Sequence, residues 1–487
     1  MIARTKKTSK CISMLLSLMM LFAMTPMIAG SAYAEEGATV IKTSEMTANE
    51  PFVTDEDTII EIDADITVPY ILVGVSMYTS ERDLTIKGDG THTLKIVTDD
   101  SAYNQAHSLL AGNITIEKGS IIDIDHSIGQ GYLYAENEFT MNGGELKAKN
   151  SKEYGWNPGE VNKATINGGN IEFTDTTGTT AFNTEYLTVN GGKLKASSRR
   201  GIFVGKKAVI SGGMVEANGT AEQGILIRDN DDSNAQFIMT GGALLTSTTR
   251  SNYAFQMDCS VDPYVGDKIK ITDPDNGMLM DYIDENSNKI YTVVDENGTP
   301  ATTANFKTSF ENAVAIVPST TFIYNGKKKT PSITVKDGKK TLVKGTDYKV
   351  TYSGKCINAG TYKGKIVGTG IYANDSVISF SFKINKAKNP LTVSGKTKTV
   401  KYSKVKKASQ KLAVKEVIKT SKKGQGTVTY VKSKGTKNIT IAKKTGKVTV
   451  KKGTKKGTYP ITVKVKAAGT KNYKSLTKTV IIKIKVK

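Results

Sequence analysis

The chain has 487 residues, 38% of them hydrophobic and only 7% aromatic, and carries 68 Lys and Arg against 46 Asp and Glu, a formal charge of +22. Three cysteines exclude a disulfide-stapled scaffold, and the length calls for more than one domain. The charge is unevenly spread: from Pro318 onward stand 43 Lys, no Arg and 4 acidic residues, about +39, which leaves the preceding part near −17.

Met1 to Ala34 reads as a signal peptide. Arg4, Lys6, Lys7 and Lys10 form a positive start, Ile12 to Met24 an apolar stretch, and Ala32-Tyr33-Ala34 a small-residue cleavage site before Glu35. Cys11 lacks the small-residue sequence that precedes a lipidated cysteine, which argues against a lipoprotein anchor. Cys259 and Cys356 then remain in the mature chain, and nothing in the sequence pairs them. No later stretch is apolar enough to span a bilayer.

Residues 35–317 read as a parallel β-helix with terminal caps. Between Glu35 and Asp125 the strand-glycine-strand plan is degenerate, as in Leu84 to Ile96 and Ile114 to Ile124; terminal units of a solenoid are atypical because one face meets water. From Phe139 to Leu245 one phrase is written five times: FTMNGGELKA, ATINGGNIEF, LTVNGGKLKA, AVISGGMVEA and FIMTGGALLT. Its glycine pairs begin at Gly143, Gly168, Gly191, Gly212 and Gly241. Each pair follows Asn, Ser or Thr and lets an extended backbone turn sharply. Leu187, Val189 and Leu194 point one way from the turn, and Thr188, Lys193 and Lys195 the other. Such a unit has one apolar face and buries it against the next coil. The competing reading is a set of type I′ hairpins in a sandwich. Turns in such a domain recur at about 8–12 residues, whereas this phrase recurs at about 21–29, which favours the coil.

Past Leu245 the text becomes acidic and turn-rich, and Lys289 to Val294 and Ala313 to Val317 are expected to close the open end of the coil. Pro318 is taken as the domain boundary. Residues 318–387 and 388–487 then show short alternating strands divided by turn residues roughly every 8–12 positions, which suits two small β-sandwich modules. Lysine occupies outward positions on many of these strands, a device against edge pairing. The fold class is therefore all-β: a parallel β-helix followed by two small β-sandwich modules.

The tail resembles the lysine-rich immunoglobulin-like modules that end many exported surface proteins of clostridial, Gram-positive bacteria. The resemblance rests on Tyr324-Asn-Gly-Lys with Pro331-Ser-Ile-Thr-Val, Lys344-Gly-Thr-Asp-Tyr, Ala359-Gly-Thr-Tyr, Thr445-Gly-Lys-Val-Thr-Val and Lys471-Asn-Tyr-Lys, and it covers 318–487. The Asn-Gly-Gly repeats resemble the right-handed β-helix of the pectate-lyase-like superfamily, a likeness of fold that carries little function. In its polysaccharide lyases, carboxylates on one sheet bind calcium and a basic residue removes the proton α to a uronate carboxylate. The matching candidates here are Arg199, Arg200 and Arg228 for the base and Asp229, Asp231 and Asp232 for calcium. An exposed acidic turn between coils is the favoured reading of Asp229 to Ser233, since loose acidic runs are common in turns, and the run does not match an EF-hand loop.

No Gly-x-Ser-x-Gly elbow occurs, and His92, His107 and His126 lack metal-ligand spacing and read as surface or turn residues. Carboxylate pairs for glycoside hydrolysis are too numerous in the acidic body to single two out. Sugar binding asks for aromatic rings, which Tyr154, Trp156 and Phe203 supply, with Tyr132, Tyr134, Tyr186 and Tyr253 nearby. The lysine tail lacks the interleaved aromatics of single-strand nucleic-acid binders, and it suits the anionic polymers of a Gram-positive wall, with solubility alone as the plainer reading. The expected function is that of an exported cell-surface adhesin or carbohydrate-binding protein, non-covalently wall-associated, with a polysaccharide as partner and no membrane span. A polysaccharide lyase or hydrolase on the same face is the alternative, with calcium as its one implied cofactor.

Overall fold

The computed structural model describes residues 37–74, 80–98, 107–126, 132–151, 157–229, 234–251, 253–259, 261–283 and 289–487. The stretch read as a signal peptide, residues 1–34, lies outside them. The chain is all-β, and it contains a β-solenoid of about seven turns. It divides into two compact units: one of residues 1–238, 245–264 and 278–304, the other of residues 239–244, 265–277 and 305–487.

In the first unit each coil contributes one strand to each of two parallel sheets. The first sheet stacks Thr39–Lys42, Thr58–Ile62, Asp83–Gly88, His107–Ile116, Tyr132–Met141, Gly159–Ile166, Thr180–Val189, Arg200–Ile210, Ile225–Arg228 and Phe255–Asp258, all parallel. Lys289–Val294 and Met278–Ile283 then add antiparallel. The second sheet stacks Ile66–Val68, Leu94–Val97, Ile121–His126, Glu145–Asn150, Asn170–Asp175, Lys193–Ser198 and Met214–Gly219. Parallel stacking at one coil per step explains why the phrase recurs at coil length and not at hairpin length.

Alternation puts every second side chain inside, where large and small residues follow each other up the stack. Ile114, Phe139, Ala164, Leu187 and Ala208 are in register on one wall, and Ile124, Ala148, Phe173, Ala196 and Ala217 on the other. All ten are essentially inaccessible to solvent. Phe173 stacks on Phe182 at 4.8 Å and 7°. Gly159 makes room for that pair, because a Cβ there would lie 2.7 Å from the Phe173 ring and 2.9 Å from the Phe182 ring.

The two glycines of the repeated phrase have different causes. The second one, at Gly144, Gly169, Gly192, Gly213 and Gly242, has φ between 66° and 83°, a conformation that costs a side chain energy. The first is needed because the coils approach each other closely. A Cβ at Gly168 would stand 2.8 Å from the Asn142 carbonyl oxygen, and at Gly191 and Gly212 it would be nearer still to those of Asn167 and Asn190. The polar residue before them does more than favour a turn. Asn142 Nδ2 donates to Glu117, Asn167 Nδ2 to Asn142 Oδ1, Asn190 Nδ2 to Asn167 Oδ1, and Ser211 Oγ to Asn190 Oδ1, at 2.8–3.0 Å. This ladder joins successive coils at one corner and fixes their register.

A second ladder runs over the outer face of the second sheet. Lys95, Asp123, Lys147, Glu172, Lys195 and Glu216 are in register, so each charge meets the opposite sign on the neighbouring coils. Lys195 donates to Glu172 at 2.6 Å, a bond that raises the ammonium pKa. Exposed pairs of this kind contribute only about 0.2–1 kcal/mol each.

The second unit holds the tail. Thr321–Ile323, Val377–Asn385, Gly360–Gly368 and Tyr348–Tyr352 form one sheet, and Ala313–Ile316, Thr334–Asp337 and Lys340–Leu342 another. Ala313–Ile316, expected at the end of the coil, instead pairs antiparallel with Thr334–Asp337, and Ala313 packs with Phe310, Val335 and Leu342. Further on, Thr397–Val400, Leu476–Val486, Gly457–Ala467 and Val428–Lys434 form a four-stranded sheet over a core of Val405, Ile461, Val463, Val480 and Ile482. Gln410–Leu412, Val448–Val450 and Ile439–Ile441 form the sheet's small companion.

Both tail segments clamp the incoming chain in the same way. Thr308 N–H donates to the Ile371 carbonyl and Ala373 N–H to the Thr308 carbonyl; likewise Ala387 N–H donates to Asn472 and Lys474 N–H to Ala387. The residue at the centre of each clamp is a tyrosine, Tyr372 or Tyr473. At the second clamp Asn472 also accepts from Ala359 N–H and donates to Asn358, both at 2.9 Å. The Lys471-Asn-Tyr-Lys sequence noted above is thus a joint. Cys259 and Cys356 are both free and buried.

Replacing Gly191 by Ala forces a methyl against the coil below, and Asn167→Ala removes two ladder bonds. Each is expected to destabilise the protein by roughly 1–3 kcal/mol, read from the urea midpoint. Lys193→Ala, on the solvent face, serves as control and is expected to stay within about 0.5 kcal/mol. Equal midpoints for all three would contradict the stacking account.

Candidate functional site

The outer face of the first sheet is where polar and aromatic side chains converge. Alternation turns Leu133, Val161, Phe182, Ile202, Ile225 and Phe255 inward. Their neighbours Tyr134, Glu160, Asn183 and Phe203 are half-buried on the other side and in register from coil to coil, and the same register continues into Leu226 and Gln256, which are buried. Adjacent coils are about 4.8 Å apart, so the backbone positions of Tyr134 and Phe203 stand about 14 Å apart, with Glu160 and Asn183 between them.

The two aromatic positions share a backbone feature. Tyr132–Met141 and Arg200–Ile210 each carry one residue more than the strands they pair with, inserted between Ala135 and Glu138 and between Val204 and Lys207. Bulges of this kind re-aim side chains and increase local twist. They also explain why the column is invisible to a fixed count from the glycines: Tyr134 and Phe203 lie five residues before the inward Phe139 and Ala208, whereas Glu160 and Asn183 lie four before Ala164 and Leu187.

Around Tyr134 the face is partly desolvated. The His107 ring lies 5.1 Å from the Tyr134 ring, and burial pulls the imidazole pKa down to about 4, so it is neutral at pH 7. Burial, then the charges of Glu136 and Glu160, raise the Tyr134 hydroxyl, and burial likewise raises the Glu160 carboxyl against a hydrogen bond from Asn157. A half-buried carboxyl beside an aromatic ring suits hydrogen bonding to ligand hydroxyls or proton donation.

At the other end the three candidate arginines come together. Arg200 lies over Phe203 at 5.8 Å. It donates to Gln223 and pairs with Glu222, which also holds Arg199 at 3.3 Å. Gln223 donates to Gln256, Gln256 to Asp258, and Arg228 pairs with Asp258. The guanidinium groups are thus tied into one polar chain across three coils. Burial, partly offset by Glu222, lowers the Arg200 pKa, and the positive charges of Arg228 and Arg199 act in the same direction as burial. The chain braces Phe203 from one side; each of these arginines already has a carboxylate partner.

Tyr154, Trp156, Asp231 and Asp232 lie outside the described residues, as does the Tyr132 side chain. Asp229 is half-buried just past Ile225–Arg228 and is already engaged in an interaction. No cluster of three or more His, Cys, Asp or Glu able to hold a metal ion occurs among the described residues. Tyr186 is exposed under Lys206 at 5.9 Å, and Tyr253 packs edge-on against Tyr282 at 6.1 Å. A shallow groove of about 310 Å³ on the second sheet is lined by Glu145, Lys147, Asn170, Glu172, Lys193 and Lys195. Its charges neutralise each other, as in Lys147–Glu145 at 2.8 Å.

The histidines correct one expectation. His92 does sit in a turn, bonded to Asp89 at 2.6 Å. His107, however, is on the candidate face, and His126 is completely buried inside the coil with neither ring nitrogen hydrogen-bonded. It occupies an inward polar position in register with Asn150, and Asp175 follows one coil further on. The reason is positional: each is the last inward residue of its strand in the second sheet.

No protein-family model matches the chain, and no curated protein does. Among solved structures, human protocadherin-24 EC1-2 is similar at 11% identity over 36% of this chain and 98% of that one, with a TM-score of 0.19. Drosophila N-cadherin EC1-3 is similar at 13% over 48% and 92%, TM-score 0.16. A SusE-like surface-located polysaccharide-binding protein from the Bacteroides thetaiotaomicron heparin utilisation locus is similar at 11% over 45% and 48%, TM-score 0.14. Scores this low carry no argument about this chain. No helix among the described residues is long and apolar enough to cross a membrane.

Burial pulls the His126 pKa down to about 4, below its value near 6.5 in an unfolded chain. As pH falls through 6.5 the unfolded chain takes up the proton first, so stability is lost between about pH 6.5 and 4, by roughly 3 kcal/mol for this group. Urea midpoints at pH 7 and 4.5 are expected to differ less in His126→Gln than in the wild-type protein. An unchanged difference would remove His126 as a cause of acid sensitivity.

Proposed function

We propose that this is an exported cell-surface protein that binds a polymeric glycan along the outer face of its first sheet. In this reading the solenoid is a right-handed parallel β-helix of the pectate-lyase-like kind, joined to two immunoglobulin-like modules, and it acts as an adhesin or carbohydrate-binding protein. The observation that carries it is the in-register column Tyr134, Glu160, Asn183 and Phe203. Two aromatic residues three coils apart, about 14 Å along the stack, suit the apolar faces of two sugars in one chain, and the carboxyl and amide between them suit the hydroxyls. A repeating ladder favours a repeating ligand.

The lysine-rich tail supplies retention in the same reading, by salt-sensitive attraction to the anionic polymers of a Gram-positive wall. A second reading, polysaccharide lyase or glycoside hydrolase, draws support from Glu160, whose carboxyl burial holds above its ordinary pKa as a general acid requires. Tyr154 and Trp156 stay in the proposal as ligand contacts, and Asp229, Asp231 and Asp232 as calcium contacts.

A glycan array, followed by titration of its best oligosaccharide, tests both. Tyr134→Ala and Phe203→Ala are each expected to weaken binding at least about tenfold, whereas Tyr186→Ala leaves it within about twofold. Release of unsaturated or reducing sugar that Glu160→Gln abolishes while binding persists would replace the adhesin by the enzyme.

A further inference from the structure

Residues 390–487 contain 29 lysines and one acidic residue, Glu416, which is paired with Lys398 at 2.7 Å. Gly457–Ala467 and Leu476–Val486 pair without interruption over eleven residue pairs, from Gly457↔Val486 to Ala467↔Leu476. Inward Ile461, Val463, Val465, Val480, Ile482 and Ile484 are buried, which turns Lys464, Lys466, Lys483 and Lys485 outward.

The register makes a stripe of these four. Lys466 and Lys464 face Thr477 and Thr479, while Lys483 and Lys485 stand opposite Pro460 and Thr458. Measured along the strand direction, the lysines fall two residues apart at each end, about 6.7 Å, and the whole stripe covers eight residues, about 27 Å. On the outer flank Thr397 and Thr399 pair with Lys483 and Lys485. Each ammonium therefore has a hydroxyl beside it on a rigid sheet face. None of the four takes part in an ion pair among the described residues, and Glu416, the one acidic side chain of residues 390–487, is paired with Lys398.

We propose that this face is the docking surface for one linear phosphodiester polymer lying along the strands; the proposal rests on the reading that the tail meets an anionic wall polymer. Charge complementarity selects a polyanion, and three features narrow it. The tail has 43 Lys and no Arg, so its cations are point charges, which serve phosphate oxygens without the planar fork that grips carboxylate and phosphate bidentately. The neighbouring threonine hydroxyls donate to oxygens that a tetrahedral phosphodiester points in more than one direction. The two lysine pairs, each about 6.7 Å apart along the strands and separated by about 13 Å, suit charges repeated along an extended polymer and not a single headgroup.

Synthetic poly(glycerol phosphate) of defined length is titrated into the full-length mature protein at several salt concentrations, with poly-glutamate of equal charge as comparison. Lys464→Gln/Lys466→Gln/Lys483→Gln/Lys485→Gln is set against a charge-matched control, Lys404→Gln/Lys406→Gln/Lys407→Gln/Lys411→Gln, with thermal midpoints confirming that both fold. The face variant is expected to lose at least about tenfold in affinity and to reduce the log–log salt slope by about 3, and the control to lose less than about threefold. Equal losses in the two variants would overturn the face and leave diffuse wall attraction standing. Equal affinity of the wild type for poly-glutamate would overturn the phosphodiester assignment. Absence of binding to either polymer by the wild type would overturn the wall reading itself.

Discussion

Everything in the first unit depends on how closely one coil can lie on the next at the Asn-Gly-Gly corner. The first glycine lets the backbone pass against the carbonyl of the coil below, the second takes a left-handed turn, and the asparagine bonds to its counterpart one coil away. These are three separate physical demands met by three adjacent residues. Serine at 211 keeps the bond to Asn190 with a shorter side chain, so the chain of contacts survives the loss of the amide. With the corner fixed, the interior columns interlock large against small, and both sheets inherit a single register.

That register is what gives the molecule a candidate site. A face assembled one residue per coil has no local sequence signature, because its members are about a coil apart in sequence and adjacent only in space. Tyr134, Glu160, Asn183 and Phe203 belong together solely because of parallel stacking, and the two bulged strands place the rings where unbulged ones would shift them by a residue. The arginine and glutamine chain behind Phe203 shows the same logic: seven side chains from three coils satisfy one another and stiffen one edge of the face.

Much of the fold was legible in the sequence, because spacing and alternation are direct consequences of backbone geometry. The coil, the inward identity of Leu187, Val189 and Leu194, and most strands of the tail followed from them. Less of the site was. Arg199, Arg200, Arg228 and Phe203 do cluster, yet His107, Glu160 and Asn183 carried no signal that distinguishes them from other polar residues in strands. Counting back from each glycine pair would have aligned Glu160 with Asn183 but missed the rings, since a bulge adds one residue without leaving a mark in composition. His126 escaped for another reason: a histidine ending an alternating strand reads as a turn residue unless the inward parity is carried through its last position. Ala313–Ile316 was misplaced because an apolar alternating strand does not announce which sheet it will join.

The central claim is that the face running from Tyr134 to Phe203 holds a glycan chain, and the most direct measurement is a crystal structure of the protein with the tightest-binding oligosaccharide. The account predicts sugar density across successive coils, with one ring on Tyr134, another on Phe203, and hydroxyls bonded to Glu160 and Asn183. Density over the charged groove of Glu145, Lys147 and Lys195, or on the lysine face of the tail with the Tyr134 to Phe203 column bare, would contradict it.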